Sequence, residues 1–138
     1  MAQFGIYIHW PFCESKCPYC DFNSHVSGIL DEAAWRDAYL AELNRYAVET
    51  QNHVVTSVYF GGGTPSLMAA DTVAAVLQRI QGLWSVSNDF EVTAEANPSS
   101  SNRAQFEAFR KAGVNRLSLG MQSLCDESLV FLGRRHTS

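Results

Sequence analysis

The sequence has no apolar run approaching the ~20 consecutive residues that a membrane-spanning helix needs, and no linker, low-complexity tract or short-period repeat. Stable membrane insertion is therefore not expected. Positive charge is scarce as well: 10 Lys+Arg stand against 14 Asp+Glu, for a formal net charge of −4 over 138 residues. Nucleic-acid binding ordinarily demands a basic face, so no nucleic-acid partner is expected. The Gly-x4-Gly-Lys-Ser/Thr pattern of a nucleotide phosphate loop is missing. Phe4-Gly-Ile-Tyr-Ile8 follows Met1 almost at once, a start too short and too uncharged for a signal peptide. The expected location is the reducing cytoplasm, where the 4 cysteines serve as ligands or free thiols in preference to disulfides. What is present is an ordinary globular composition, 46% hydrophobic and sufficient for one core.

Three of the cysteines, Cys13, Cys17 and Cys20, lie together in Phe12-Cys-Glu-Ser-Lys-Cys-Pro-Tyr-Cys-Asp21, with C-x3-C-x2-C spacing. Three thiolates on one loop can hold three corners of a cuboidal iron–sulfur cluster. Because a fully ligated [4Fe–4S] centre takes four cysteines, one iron would keep an open position. Two other readings stand beside this one on the triplet alone. Structural zinc could take the three cysteines with His9 or His25 as a fourth ligand, or the thiols could be buried and unliganded.

Along the chain, Phe4 to His9 reads as a first strand, ending at the cysteine loop. Asp31 is the expected cap of a helix whose apolar stripe is Trp35, Tyr39, Leu43 and Tyr46, a packing face and not a cofactor site. Val54 to Phe60 is a second strand, running into Gly61-Gly-Gly-Thr-Pro65. The helix behind it carries Val73, Val76, Leu77 and Ile80 on one face, with Asp71 as the expected cap. Phe90 to Ala94 is a third strand, closing on Glu95-Ala-Asn-Pro98. A third helix is expected over 101–112, with Phe106 and Phe109 inward and Gly113 just past its end. Val114 to Leu119 forms a fourth strand that ends at Gly120-Met-Gln-Ser123, and Asp126 is the expected cap of a fourth helix with Leu129 and Leu132.

Strands and helices thus alternate four times, the pattern of right-handed βαβ units and a parallel sheet. Every marked motif sits at the carboxyl end of a strand, the face on which βα barrels build their sites, so one ligand could touch all four. Four βα units do not close a barrel, and residues 1–138 are expected to be the N-terminal portion of a longer barrel domain. The glycine turn is either a close-approach surface for a ligand or only a tight corner. Glu95 could partner a ligand ammonium, or be a surface carboxylate or cap. Gln122 suits ribose hydroxyls, and Arg134 could pair with a carboxylate, although Arg134-Arg135-His136 as a cluster reads as a solvated loop. Cys125 is expected to be a small buried hydrophobe.

The cysteine motif, with Tyr19 in the position between Pro18 and Cys20, resembles the C-x3-C-x-aromatic-C signature of the radical S-adenosylmethionine (SAM) superfamily. The resemblance implies a partial radical SAM (β/α) barrel and a [4Fe–4S] cluster on Cys13, Cys17 and Cys20. Its open iron would be chelated by the amino and carboxylate groups of SAM, and an external reductant would supply the electron that cleaves the sulfonium. It also places Gly62, Gly63 and Thr64 at the SAM amino group. By matching motif positions it makes Tyr7, Tyr19, Glu95, Gln122 and Arg134 further SAM contacts. No catalytic residue is assigned.

Tyr7-Ile-His-Trp-Pro-Phe-Cys13, Tyr59-Phe-Gly-Gly-Gly-Thr-Pro-Ser66, Glu95-Ala-Asn-Pro98 and Gly113-Val-Asn-Arg-Leu-Ser-Leu-Gly-Met-Gln-Ser123 are similar to one subgroup. It contains the oxygen-independent coproporphyrinogen III oxidases and their relatives, the haem chaperones. Two departures from the oxidase pattern point to the chaperone branch: Phe22 stands where the oxidases carry a further cysteine, and only six residues precede Tyr7. For that branch the resemblance implies haem as cargo and a respiratory haem protein as recipient. The alternative is the oxidase itself, converting coproporphyrinogen III to protoporphyrinogen IX by oxidative decarboxylation. A third class is a zinc-stabilised domain without chemistry.

Overall fold

The computed structural model describes residues 2–138 apart from Ser27 and Ile29. Strand β1 (Gln3–Trp10) alternates, so that Phe4, Ile6, Ile8 and Trp10 enter the core while Gly5, Tyr7 and His9 face away. Strands β2 (Phe12–Cys13) and β3 (His25–Val26) pair in a two-residue parallel ladder that brackets the cysteine loop. This ladder has no sequence signal, since two residues are too few to show a period. Helix α1 (Glu32–Thr50) begins where the Asp31 carboxylate accepts from the Ala34 N–H at 3.0 Å, the expected cap.

Strand β4 (Val54–Gly62), helix α2 (Ala70–Leu83), strand β5 (Ser85–Ala96), helix α3 (Arg103–Ala112), strand β6 (Arg116–Leu119) and helix α4 (Asp126–Phe131) complete the alternation. The four longer strands form one parallel sheet in the order β1-β4-β5-β6. Its apolar face, with Val55, Val58, Phe60, Val92 and Ala94, packs on Leu43 and Ala47 of α1, on Val73, Val76, Leu77 and Ile80 of α2, and on Phe109 of α3. The opposite face carries Tyr7, Tyr59, Glu91, Thr93, Glu95 and Arg116, whose alternation with the apolar positions distinguishes this sheet from parallel sheets buried on both sides.

Several expected details differ. The stripe of α1 continues through Ala47; Tyr46 is 52% exposed, with the Arg45 guanidinium 4.2 Å over its ring. The buried seam follows the slanting i, i+4 row through Tyr39, Leu43 and Ala47, which leaves Tyr46 at its margin. Asp71 lies in the first turn of α2 and does not cap it. Ala69 holds the cap position, and its N–H is met by the Glu32 carboxylate at 2.6 Å. Asp126 is likewise the first residue of α4, with Cys125 at the cap. β5 begins five residues before Phe90, and residues 87–90 form an irregularity between the Val55/Val86 and Ser57/Glu91 pairs. Helix α3 starts at Arg103, where Asn102 accepts from the Gln105 N–H, and β6 starts at Arg116 rather than at Val114. Phe106 is only half-buried, whereas Gly113 ends α3 at φ 118° as expected.

Candidate functional site

At the carboxyl ends of the strands the chain surrounds a cavity of about 280 Å³. Parallel pairing places the loops after β1, β4, β5 and β6 on the same edge of the sheet, which is why four separated motifs meet there. Cys13, Cys17 and Cys20 form one wall. The loop that carries them is closed at its base by the β2–β3 ladder and by the His25 N–H donating to the Pro11 carbonyl at 2.6 Å. The Cys20 N–H donates to the Cys17 carbonyl at 3.0 Å, a turn that keeps the last two cysteines of the motif close along the chain.

The glycine turn after β4 runs against the backbone of that loop. The Gly63 N–H donates to the Trp10 carbonyl at 2.6 Å, and the Thr64 N–H donates to the Phe12 carbonyl at 2.8 Å. A Cβ at residue 63 would lie 2.6 Å from the Phe12 carbonyl oxygen. Glycine is thus required here by close approach to the chain itself. Thr64, 7% exposed, donates its hydroxyl to Cys13 Sγ at 3.3 Å.

Glu95 reaches the cavity from the end of β5. Its Oε1 accepts from the Tyr59 hydroxyl at 2.9 Å and its Oε2 accepts from the Gly62 N–H at 3.1 Å. Burial first, and then the Glu95 carboxylate, raise the Tyr59 pKa above the ordinary tyrosine value. Asn97 terminates the same strand and accepts through Oδ1 from Arg134 Nη2 at 3.0 Å. Gln122, exposed and at φ 65°, lies on the opposite rim.

Arg134, expected in a solvated basic loop, turns inward. Its Nη2 also donates to the Gly120 carbonyl at 2.7 Å, while Nη1 donates to the Tyr19 hydroxyl at 3.3 Å and to Cys17 Sγ at 3.5 Å. The Nε is buried and has no partner among the described residues, an orphaned donor at the cavity wall. Tyr19 has its pKa raised, chiefly by burial and next by the neighbouring Cys17.

The cavity therefore unites the three cysteines with Tyr19, Gly62, Gly63, Thr64, Glu95, Gln122 and Arg134, and leaves out Tyr7. Strand alternation puts Tyr7 on the polar sheet face, where it is 57% exposed and stacks on Tyr59 at 6.1 Å. Asn97 and Ser118 join the cavity without having been singled out; the signal for Asn97 is its place in the Glu95-Ala-Asn-Pro98 motif, of which only Glu95 is given a role. Neither His9 nor His25 lines the cavity, and His9 Nε2 is hydrogen-bonded to the Asn23 carbonyl at 3.0 Å. Among the described residues no three His, Cys, Asp or Glu side chains converge on a single-ion site. Cys125 is exposed, not buried, because the cap position before α4 turns outward. Hydrogen bonds from Ser128 and Glu127 hold its thiol below the usual range.

Residues 7–138 match the family described as the Radical SAM superfamily. The chain is 47% identical over 134 residues to the bovine (Bos taurus) protein "Radical S-adenosyl methionine domain-containing protein 1, mitochondrial", covering 97% of this chain and 30% of that one. It is 39% identical over 137 residues to "Heme chaperone HemW" of Escherichia coli, covering 99% and 36%. Coproporphyrinogen III oxidase (HemN) from Escherichia coli has the same fold over 98% of this chain and 31% of its own, with a TM-score of 0.86 at 24% identity. The chain thus spans about a third of the length of these relatives.

Proposed function

The chain belongs to the radical SAM superfamily, and from that premise we propose that it is the cluster-binding part of a haem chaperone. The observation that carries this reading is the meeting of Cys13, Cys17 and Cys20 with the glycine turn, Glu95, Gln122 and Arg134 around one cavity. The donor set fits a [4Fe–4S] cluster. Soft thiolates favour iron–sulfur and zinc centres over hard cations, and three thiolates on one loop can each take one iron of a cuboidal cluster. When bound, such a cluster supplies one-electron reduction and a free coordination position.

The residues around it fit SAM. Arg134 Nε offers an unpaired donor to a carboxylate. Glu95 keeps lone pairs for an ammonium beyond the two it gives to Tyr59 and Gly62. Gln122, on an exposed rim, is free to meet a ribose, and the Gly62-Gly63 backbone closes the floor. Tyr7, on the same sheet face as Glu95 and stacked on its partner Tyr59, borders the lining and is a further SAM contact from that side.

Haem as cargo is supported by 39% identity to a protein described as a haem chaperone, and by Phe22 at the cavity wall in place of a redox-active thiol; the recipient we propose is a respiratory haem protein. The compartment is a reducing one. Cytoplasm is the primary reading and the mitochondrion the alternative, since the bovine relative is described as mitochondrial.

Two measurements test the proposal. Anaerobic reconstitution with iron and sulfide should yield a brown, SAM-binding protein that loses its iron when Cys17 is replaced by Ser. Stoichiometric zinc without labile sulfide would defeat the cluster. The protein should also bind haem and leave coproporphyrinogen III unconverted under reducing, anaerobic conditions with SAM; turnover to protoporphyrinogen IX would make it an oxidase.

A further inference from the structure

Two of the three cysteine sulfurs each accept a hydrogen bond from a side chain outside their own loop. The Thr64 hydroxyl, on the turn after β4, donates to Cys13 Sγ at 3.3 Å. The Arg134 guanidinium, beyond α4, donates to Cys17 Sγ at 3.5 Å. Both donors are held in place. The Thr64 N–H is fixed to the Phe12 carbonyl at 2.8 Å, and Thr64 is 7% exposed. Arg134 is anchored through its other nitrogen to the Asn97 side chain and the Gly120 carbonyl, at 3.0 and 2.7 Å. No side-chain donor to Cys20 Sγ is present among the described residues.

We propose that Thr64 and Arg134 are positioning residues of the cluster: they donate to the Cys13 and Cys17 sulfurs and thereby raise its reduction potential. This rests on the cluster assignment above and goes beyond ligand contact. Reduction adds one negative charge to the cluster and its thiolates. A donor aimed at a thiolate sulfur stabilises the more negative, reduced state more than the oxidised one. Outer groups that orient and polarise a ligand act on a metal centre in the same way. Arg134 adds a full positive charge to its hydrogen bond, and Thr64 adds only a dipole, so Arg134 has the larger effect. The arrangement is also asymmetric: among the described residues Cys13 and Cys17 receive these side-chain donors and Cys20 does not.

The test is the midpoint potential of the reconstituted cluster in the full chain, followed by EPR in the absence of SAM, with iron and sulfide content measured on each sample. Thr64→Val keeps the shape and removes the hydroxyl. It should move the potential to more negative values at unchanged iron content, and Thr64→Ser should restore it. Arg134→Met should produce a larger shift in the same direction, and the double variant roughly the sum of the two. Resonance Raman should show the Fe–S(Cys) stretching bands displaced in Thr64→Val and returned in Thr64→Ser. An unchanged potential in Thr64→Val and Arg134→Met, with the cluster intact, overturns the inference and leaves the cluster assignment standing. If Thr64→Val assembles no cluster, Arg134→Met decides alone by the same criterion. Wild-type protein that takes up no iron and sulfide overturns both the inference and the function on which it rests.

Discussion

Glu95 shows how one side chain can serve the fold and the ligand at once. Its carboxylate already ties Tyr59 and the Gly62 N–H to the end of β5, so Glu95→Ala removes an internal brace as well as a ligand partner. Loss of a hydrogen bond to a charged group costs about 1.5–3 kcal/mol, roughly ten- to a hundredfold in affinity. Glu95→Ala and Gln122→Ala are therefore expected to weaken SAM binding by that factor with the iron content intact. Isothermal titration of the reconstituted variants checks this, and unchanged affinity in both would refute the assigned roles. Tyr59→Phe, which loses the brace and keeps the carboxylate, separates the two functions of Glu95.

Tyr39 carries a pH signature of its own. It donates to the His9 carbonyl at 2.6 Å, and burial, followed by the nearby Glu32, pushes its pKa up to about 12. The neutral form is the one the fold holds, so its contribution to stability is complete below about pH 10, the ordinary tyrosine value. Between about pH 10 and 12 the unfolded chain releases this proton and the folded chain retains it, so stability falls as pH rises. Urea melts of wild type and Tyr39→Phe should converge across that interval. The variant should be weaker near neutrality by about 1 kcal/mol, the value of one hydrogen bond. A constant difference at all pH values would show that the hydroxyl is not held neutral.

Among the elements, the joint between the turn after β4 and the cysteine loop is the least tolerant. Gly63 passes so close to Phe12 that an added Cβ would meet carbonyl oxygen at 2.6 Å, a contact with backbone that cannot swing aside. Gly63→Ala is expected to cost about 1–3 kcal/mol through overpacking, and to lower cluster uptake because Cys13 adjoins the displaced residue. Thermal melting of the apo protein and iron content after reconstitution read the two effects separately. A variant with wild-type melting and iron would mean that the turn can move away from the loop. The alternation of β1 and β4 explains another element-level outcome. Residues two apart share a face, so Tyr7 and His9 lie with Tyr59 and Gly61 on the polar side, away from the helices.

For the molecule as a whole, the helices cover one side of a four-stranded sheet, and β1 and β6 are its edges. Along β6 and α4 the residues Leu117, Leu119, Leu124, Val130 and Phe131 are 42–87% exposed. Scattered apolar residues are ordinary on a surface, but a group of this kind beside a strand edge invites association. A polypeptide of these 138 residues is expected to bind a hydrophobic dye and to self-associate at micromolar concentration. Val130→Lys with Phe131→Ser should reduce both. Light scattering that reports a monomer without dye binding would contradict this.

The sequence by itself determined the alternation of the longer strands and helices, the inward face of α2, the caps at Asp31 and Gly113, and the gathering of four motifs on one edge. These follow from local rules, since periodicity and capping act over a few residues, and parallel strands necessarily present their carboxyl ends together. Only the tertiary structure decided which atoms meet at that edge. Thr64 finds Cys13 across 51 positions and Arg134 finds Cys17 across 117, Tyr7 stacks on Tyr59 beside the cavity lining, and a two-residue ladder closes the cysteine loop. Contacts of that span depend on register, bulges and the packing of the turn after β4 against β2. No pattern of residue types within a short window encodes those distances.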